Sequence, residues 1–190
     1  MSVRRLKLLL LLGGILVSGI VLLTWTQDWF VVILESGGEL SVPGDAAAPA
    51  LAALALSGAA LGAALAIAGR VFRVILGVLE VAIGALVIYS AWTAIVDPVL
   101  AAAGSVTAAT GVSGEDSVRA LVESLALTVW PVVALVAGIV LAVAGLVVVV
   151  TSPRWPASSR KYQAVRLEAA DGEESSIGDW DSLSEGRDPT

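Results

Sequence analysis

Four long apolar runs constrain this chain more than any other feature of its sequence. Residues 8–25, 46–69 and 125–150 contain no Asp, Glu, Lys or Arg, and residues 74–96 contain Glu80 as their only such residue. A helix needs roughly 20 residues to cross a hydrocarbon core of about 30 Å. Helices and closed barrels are the two structures that satisfy the backbone in lipid, and these continuous runs lack the alternation of a barrel. The sequence therefore predicts an all-α membrane protein whose residues 1–152 form a bundle of four transmembrane helices.

The composition excludes several functional classes. Hydrophobic residues make up 57% of the chain, charged residues make up 15%, and there is no Cys or His. The chain therefore lacks the usual ligands of zinc and the thiols needed for disulfides. A nucleophile paired with histidine is also impossible. We expect no enzymatic activity, no catalytic residue, no cofactor, no metal site and no nucleic-acid partner.

The distribution of Lys and Arg predicts the orientation in the membrane, because these residues concentrate in cytoplasmic loops. Arg119 stands alone on one predicted side, between the third and fourth runs. The other side carries nine basic residues close to the runs: Arg4, Arg5, Lys7, Arg70, Arg73, Arg154, Arg160, Lys161 and Arg166. We expect a multi-pass protein of the bacterial cytoplasmic (inner) membrane, with both termini in the cytoplasm and outer loops at 26–45 and 97–124.

Local signals predict structure in both outer loops. Residues 29–33 are β-branched or aromatic and Leu34 extends this run, residues 36–38 favour a turn, and residues 39–42 alternate. Together these signals predict a β-hairpin, and an irregular loop is the alternative. In the second loop, Asp97 followed by Pro98 is typical of a helix start, and Gly111 is typical of a helix end. Ser113 with Asp116 resembles a capping box that leads into the fourth span.

The tail, residues 153–190, changes from basic to acidic along its length. The basic part is predicted to contact anionic headgroups, with the docking of a cytoplasmic protein as the alternative. The acidic part is rich in Ser, Gly and Asp, and this composition predicts disorder.

Glu80 is the one carboxylic acid or basic residue within the four apolar runs, and it lies six residues from the start of the third run. Such a residue is expected to face the protein interior. Small residues allow close helix contact in lipid. Gly14, Gly62 and Gly145 lie at a depth similar to that of Glu80 in the other three runs, and Gly77 and Gly84 lie on the same face of its own run. We predict that Glu80 points into the bundle in its neutral form and hydrogen-bonds backbone carbonyls. Snorkelling toward Arg73 is the alternative.

Aromatic residues lie near the predicted ends of the spans. Tryptophan and tyrosine concentrate at membrane–water interfaces. We therefore interpret the residues near the outer ends as interfacial anchors, with an aromatic ligand cage as the alternative: Trp25, Trp29, Tyr89, Trp92 and Trp130.

Five short motifs occur in a characteristic order along residues 8–162. They are Thr24-Trp25, Ala48-Pro49-Ala50-Leu51, Asp97-Pro98, Thr128-Val129-Trp130-Pro131, and Arg154-Trp155-Pro156 followed by Ser159-Arg160-Lys161-Tyr162. In this order the chain resembles the family of tryptophan biosynthesis-associated membrane proteins, found beside tryptophan biosynthesis genes in actinobacteria. The family pattern often places an aromatic after Trp130-Pro131, whereas this chain has Val132, so a role for that aromatic does not carry over.

The resemblance implies a link to tryptophan metabolism and names no molecular activity. We expect an accessory or interaction protein whose partners are the lipid bilayer, a second copy or another membrane protein, and a cytoplasmic protein of the tryptophan pathway. The alternative is a small oligomeric transporter or channel for tryptophan, indole or a related aromatic compound. The surroundings of Glu80 discriminate between the two, since a wet cavity favours transport and a dry helix contact favours an accessory role.

Overall fold

The computed structural model describes residues 3–152. The predicted tail, with the candidate residues Arg154, Trp155 and Pro156, lies outside this part of the chain. The elements in chain order are α1 (Val3–Trp25), β1 (Asp28–Leu34), β2 (Glu39–Pro43), α2 (Gly44–Ala47), α3 (Leu51–Ile67), α4 (Arg70–Val96), α5 (Pro98–Thr110), α6 (Glu115–Leu121), β3 (Val122–Leu127) and α7 (Trp130–Thr151).

Three of these helices, α1, α4 and α7, are long and apolar enough to cross a membrane. Helix α3 is also apolar, but it has 17 residues and is therefore about 25 Å long. The predicted span over about 46–69 is not a single helix, because it is interrupted near its start. A proline disfavours helical geometry in the residue before it, and the helix breaks at Ala48, which has φ −146° and ψ 69°. At its other end, Ala68 and Gly69 are extended and form a tight turn into α4.

The predicted start of the last span at residue 125 is also wrong, because residues 122–127 form strand β3. Helix α7 begins at Trp130, with Pro131 in its first turn. The predicted capping box is absent, since α6 is preceded by Gly114 without a side-chain cap and leads into β3. The start of α5 matches its prediction, because the Asp97 carboxylate accepts a hydrogen bond of 3.1 Å from the Leu100 amide.

The predicted hairpin is present and forms part of a larger sheet. Strand β1 pairs antiparallel with β2 on one side and with β3 on the other, giving the order β2-β1-β3. The hairpin turn places Gly37 at φ +79°, a conformation that favours glycine. The central strand buries Trp29, Phe30 and Val32 completely.

Four of the apolar helices, α1, α3, α4 and α7, pack in a square. Helix α1 packs on α3 and α7, and α4 packs on α7 and α3, so that α1 and α4 lie diagonally opposite. We call the end that carries the sheet the sheet end, and the opposite end, which carries the α3–α4 turn, the turn end. The described fold is mostly helical, and its lipid-compatible helices are held at one end by a three-stranded sheet.

Candidate functional site

Glu80 lies inside the helical unit, on the diagonal between α4 and α1. Its side chain is 2% exposed. A Cβ added to Gly14 of α1 would lie 2.9 Å from Glu80 Oε1, so the carboxyl group is packed against the backbone of Gly14. The two residues meet because α1 has no side chain at the point that Glu80 reaches.

The other glycines predicted to surround Glu80 have different neighbours. A Cβ added to Gly62 would lie 2.8 Å from Cγ1 of Ile15 and would meet α1. A Cβ on Gly145 would lie 2.7 Å from the Val81 amide nitrogen. Of the five glycines predicted to surround Glu80, Gly14 is therefore the one at which an added Cβ would lie nearest to Glu80.

Helices α4 and α7 meet through two pairs of glycines, Gly77 with Gly145 and Gly84 with Gly138, and the two pairs lie one heptad apart. A Cβ on Gly145 would lie 2.8 Å from the Gly77 carbonyl oxygen, and one on Gly77 would lie 3.2 Å from the Gly145 carbonyl oxygen. A Cβ on Gly84 would lie 2.8 Å from the Gly138 carbonyl oxygen. The contact is thus made between backbones, as small residues permit in membrane helices.

Ser18 is a second buried polar residue near Glu80, and its role was not evident from the sequence. It lies one turn beyond Gly14 on α1 and is 1% exposed. A Cβ on Gly58 of α3 would lie 2.6 Å from Ser18 Oγ. Within the described residues, Ser18 Oγ and Glu80 Oε2 have no hydrogen-bond partner, so Oε2 does not make the predicted bonds to backbone carbonyls.

The turn end carries the basic residues that flank the helices. Arg73 is 3% exposed, and Lys7 Nζ donates a hydrogen bond of 3.2 Å to the Ala66 carbonyl oxygen. This carbonyl belongs to the last turn of α3, where a cation is favourable because the helix dipole is negative there. Phe72 and Ile67 are exposed beside them, as expected for residues that contact lipid.

At the sheet end, Trp29 joins the sheet to α1 and is not an interfacial anchor. Its side chain is fully buried, and its Nε1 donates a hydrogen bond of 2.7 Å to the Thr24 carbonyl oxygen. The Thr24 carbonyl lies in the last turn of α1 and also accepts a hydrogen bond of 3.2 Å from the Gln27 amide, so the indole is its second donor. A Cβ on Gly44 would lie 2.6 Å from Trp29 Nε1, so a glycine is required beside the indole.

The other candidate tryptophans also lie at the sheet end. Trp25 is the last residue of α1 and Trp130 the first of α7, and both are partly buried against the main core. Pro131 is buried in the first turn of α7. Tyr89 and Trp92 are exposed on α4, as the interpretation as interfacial anchors requires.

One cluster of charges connects the helices of the second loop. Arg119 Nη2 lies 2.5 Å from Asp97 Oδ2 and 3.0 Å from Glu115 Oε1. The hydrogen bonds from the Leu100 amide and Arg119 hold the pKa of Asp97 below its usual value. Hydrogen bonds to the two carboxylates raise the pKa of Arg119. Among residues 3–152, no group of three or more His, Cys, Asp or Glu side chains is placed to hold a metal ion.

Two apolar grooves lie on the helical surface. One of about 280 Å³ lies between α1 and α7, and one of about 580 Å³ lies between α3 and α4. Two smaller grooves, of about 190 and 180 Å³, lie near the break between α2 and α3. Glu80 does not line any of these four grooves.

Apolar helices of spanning length, backbone contacts through glycine and lipid-compatible surfaces together define a helical membrane protein. The chain belongs to the family of tryptophan-associated transmembrane proteins, whose sequence model matches residues 7–190. No curated protein and no solved structure matches the chain significantly. The family resemblance noted from the sequence is thereby confirmed.

Proposed function

We propose that this protein is an accessory protein of the cytoplasmic (inner) membrane, without enzymatic activity, that acts on tryptophan metabolism through contacts with other proteins. In this proposal α3 is the fourth crossing, both termini are cytoplasmic and the sheet end is outside. The partner is a cytoplasmic protein of the tryptophan pathway, a second membrane protein or another copy of this chain. The family assignment supports the link to tryptophan.

The packing of Glu80 is the observation that carries the choice of an accessory role. A transporter needs a path along which its substrate can reach an interior polar group. Glu80 instead packs against the backbone of Gly14, in a contact where an added methyl group has no space. The grooves described above are on the outside of the helical unit and do not reach the acid.

Affinity purification of the full-length protein from native membranes tests this proposal. The expected result is co-purification of a tryptophan-pathway enzyme or a second membrane protein in near-stoichiometric amount, in cells grown without tryptophan. An unrelated multi-helix protein with the same tag, expressed in the same membrane, is the control. Recovery of the protein without any partner, together with tryptophan or indole uptake by proteoliposomes, would contradict the proposal.

Glu80 variants separate the accessory role from the alternative of an oligomeric transporter. Glu80→Gln keeps the shape and hydrogen-bonding capacity of a neutral acid, whereas Glu80→Leu removes both. An accessory protein with a structural acid is expected to tolerate Gln and to lose stability with Leu. A proton-coupled transporter would lose uptake with Gln while the fold stayed intact.

A further inference from the structure

The three-stranded sheet at the sheet end has two outer edges, which are formed by β2 and β3. Backbone amides and carbonyls on an outer edge have no partner within the sheet, so an edge can accept a further strand. Proteins commonly protect such edges with proline, with charged side chains or with covering elements. The two edges of this sheet differ in that protection.

The β2 edge is protected by a proline. In an antiparallel pair, alternate residues bond to the neighbouring strand and the residues between them face the other way. The Leu34 amide donates to the Gly38 carbonyl oxygen, which fixes this alternation. Leu40 and Val42 therefore face β1, and Pro43 faces the outer edge. Proline has no amide hydrogen to donate, so this edge is a poor acceptor of a further strand.

The β3 edge contains no proline. The Thr128 amide donates to the Trp29 carbonyl oxygen, so Ala126 faces β1 by the same alternation. The amides and carbonyls of Leu125 and Leu127 then face the outer edge. No strand lies beyond them in residues 3–152, and Leu127 is 43% exposed. Four hydrogen-bonding groups of the backbone are thus available to an added strand.

Acidic side chains lie along the β3 edge and at both of its ends. Glu123 lies on β3 itself. The Glu35 amide donates to the Leu121 carbonyl oxygen at 3.0 Å, which places Glu35 at the start of β3. The Thr128 hydroxyl donates to the Asp28 carbonyl oxygen at 2.8 Å, which places Asp28 beside its end. All three acids are exposed, and none forms an ion pair within the described residues.

The chain supplies little positive charge to balance these acids. Arg119 is the one Lys or Arg in the two loops of this end, and it is bonded to Asp97 and Glu115. A second copy would bring the same negative charge to the edge, and like charges disfavour such pairing. A basic segment has the complementary charge.

We propose that β3 is the docking edge for an extended, basic segment of another protein, which adds to the sheet as a fourth strand. This inference rests on the proposed function, in which the protein acts through contacts with other proteins. The segment pairs with the backbone of Leu125 and Leu127, and its Lys or Arg side chains lie beside Glu123. In this mode of recognition main-chain hydrogen bonds supply affinity, and the flanking charges supply selectivity.

Binding of a model peptide to the full-length protein in a zwitterionic detergent tests this proposal. The probe is a peptide of alternating Thr and Val residues with two Lys residues at each end, and the matched control peptide has Glu in place of Lys. Fluorescence anisotropy should show binding of the Lys peptide and about tenfold weaker binding of the Glu peptide. Equal affinity for the two peptides, or binding of neither, would overturn the proposal.

Hydrogen exchange tests the pairing at single amides. The Leu125 and Leu127 amides should exchange about tenfold more slowly when the Lys peptide is at saturation than in the free protein. The Ala126 amide is the internal control, because it faces β1 and should exchange slowly in both states. Unchanged exchange at both leucines contradicts pairing on this edge.

Two substitutions separate the edge from the rest of the sheet. Leu127→Pro removes an outward-facing amide and leaves the bonds to β1 in place, and Glu123→Lys reverses the charge on the strand. Each should weaken binding of the Lys peptide about fivefold. Glu39→Lys is the matched control, because Glu39 is an exposed acid on β2, and it should change the affinity by less than about twofold. If Glu39→Lys weakens binding as much as Glu123→Lys, the site is not on β3.

Failure of this proposal is distinguishable from failure of the proposed function. Peptide binding to the purified protein, with no partner recovered from membranes, supports the edge and contradicts the proposed function. A co-purified partner that Leu127→Pro leaves fully bound overturns the edge and supports the proposed function. Dimerisation of the chain that Leu127→Pro abolishes overturns the basic partner, because a second copy then occupies the edge.

Discussion

The contact between α4 and α7 makes Gly84 the position where a single methyl group should be most damaging. A Cβ on Gly84 would lie 2.5 Å from the Ala142 amide nitrogen and 2.8 Å from the Gly138 carbonyl oxygen. Ordinary van der Waals contact begins at 3.4 Å, so the helices would have to separate by about 0.6–0.9 Å (3.4 − 2.8 and 3.4 − 2.5). Since the obstructing atoms are backbone, no side-chain rotation can relieve the clash.

Gly19→Ala is the matched control, because nothing lies within 4 Å of a Cβ at that position in α1. Both substitutions gain about 1 kcal/mol of helix propensity, so this gain cancels in the comparison. Overpacking should leave Gly84→Ala less stable than Gly19→Ala by about 1–3 kcal/mol. For a chain of this size, each kcal/mol corresponds to a difference of about 2–4 °C in Tm.

Thermal unfolding of the two full-length variants in the same detergent measures this difference. Gly145→Ala should behave like Gly84→Ala, since its Cβ would lie 2.7 Å from the Val81 amide nitrogen. If Gly84→Ala and Gly19→Ala unfold at the same temperature, α4 and α7 do not pack through their glycine backbones, and the reasoning fails.

Four further predictions concern the sheet end, the second loop, the topology and the tail. Trp29→Phe should lose one buried hydrogen bond, costing about 1 kcal/mol, and hydrogen exchange should speed up in the sheet while the α4 amides are unaffected. The lowered pKa of Asp97 stabilises the fold at neutral pH, and this contribution should disappear as the pH falls below about 4. The Asp97→Asn variant should therefore lose less stability on acidification than the unchanged protein. An equal loss of stability would contradict this prediction. A periplasm-dependent reporter should be active when fused at residue 40 and silent at residue 165, and the reverse pattern would refute the proposed topology. Truncation after Arg166 should leave Tm unchanged, and a large fall in Tm would refute this expectation.

The sequence predicts local structure well where a signal lies within a few residues. The hairpin follows from its turn residues, and the start of α5 follows from Asp97 and Pro98. Strand β3 was missed because residues 125–127 continue directly into the apolar run of α7. Its strand structure depends on pairing with β1, more than 80 residues earlier, and such long-range pairing overrides local propensity.

The same distinction applies to the candidate site. The interior direction of Glu80 follows from its position in an apolar helix, and small residues at its depth follow from counting. The diagonal contact with Gly14 and the burial of Ser18 and Trp29 depend on which elements are neighbours. A single sequence contains no signal for that arrangement, so these features follow only from the three-dimensional structure.

The way the helices are connected bears on how this protein can act. Strand β1 follows α1 and strand β3 precedes α7, so their pairing fixes these two helices to each other at the sheet end. Thr128 strengthens this connection, because its amide and hydroxyl donate to the carbonyl oxygens of Trp29 and Asp28 at 3.0 and 2.8 Å. Helix α4 is held against α7 through two glycine pairs that lie one heptad apart. Alternating access requires one group of helices to rock against another, and here the sheet and the glycine contacts hold α1, α4 and α7 together. Helix α3 is tied to α1 in turn, because Gly58 and Gly62 pack against Ser18 and Ile15. Such a connected set of helices fits an accessory role better than a transport cycle.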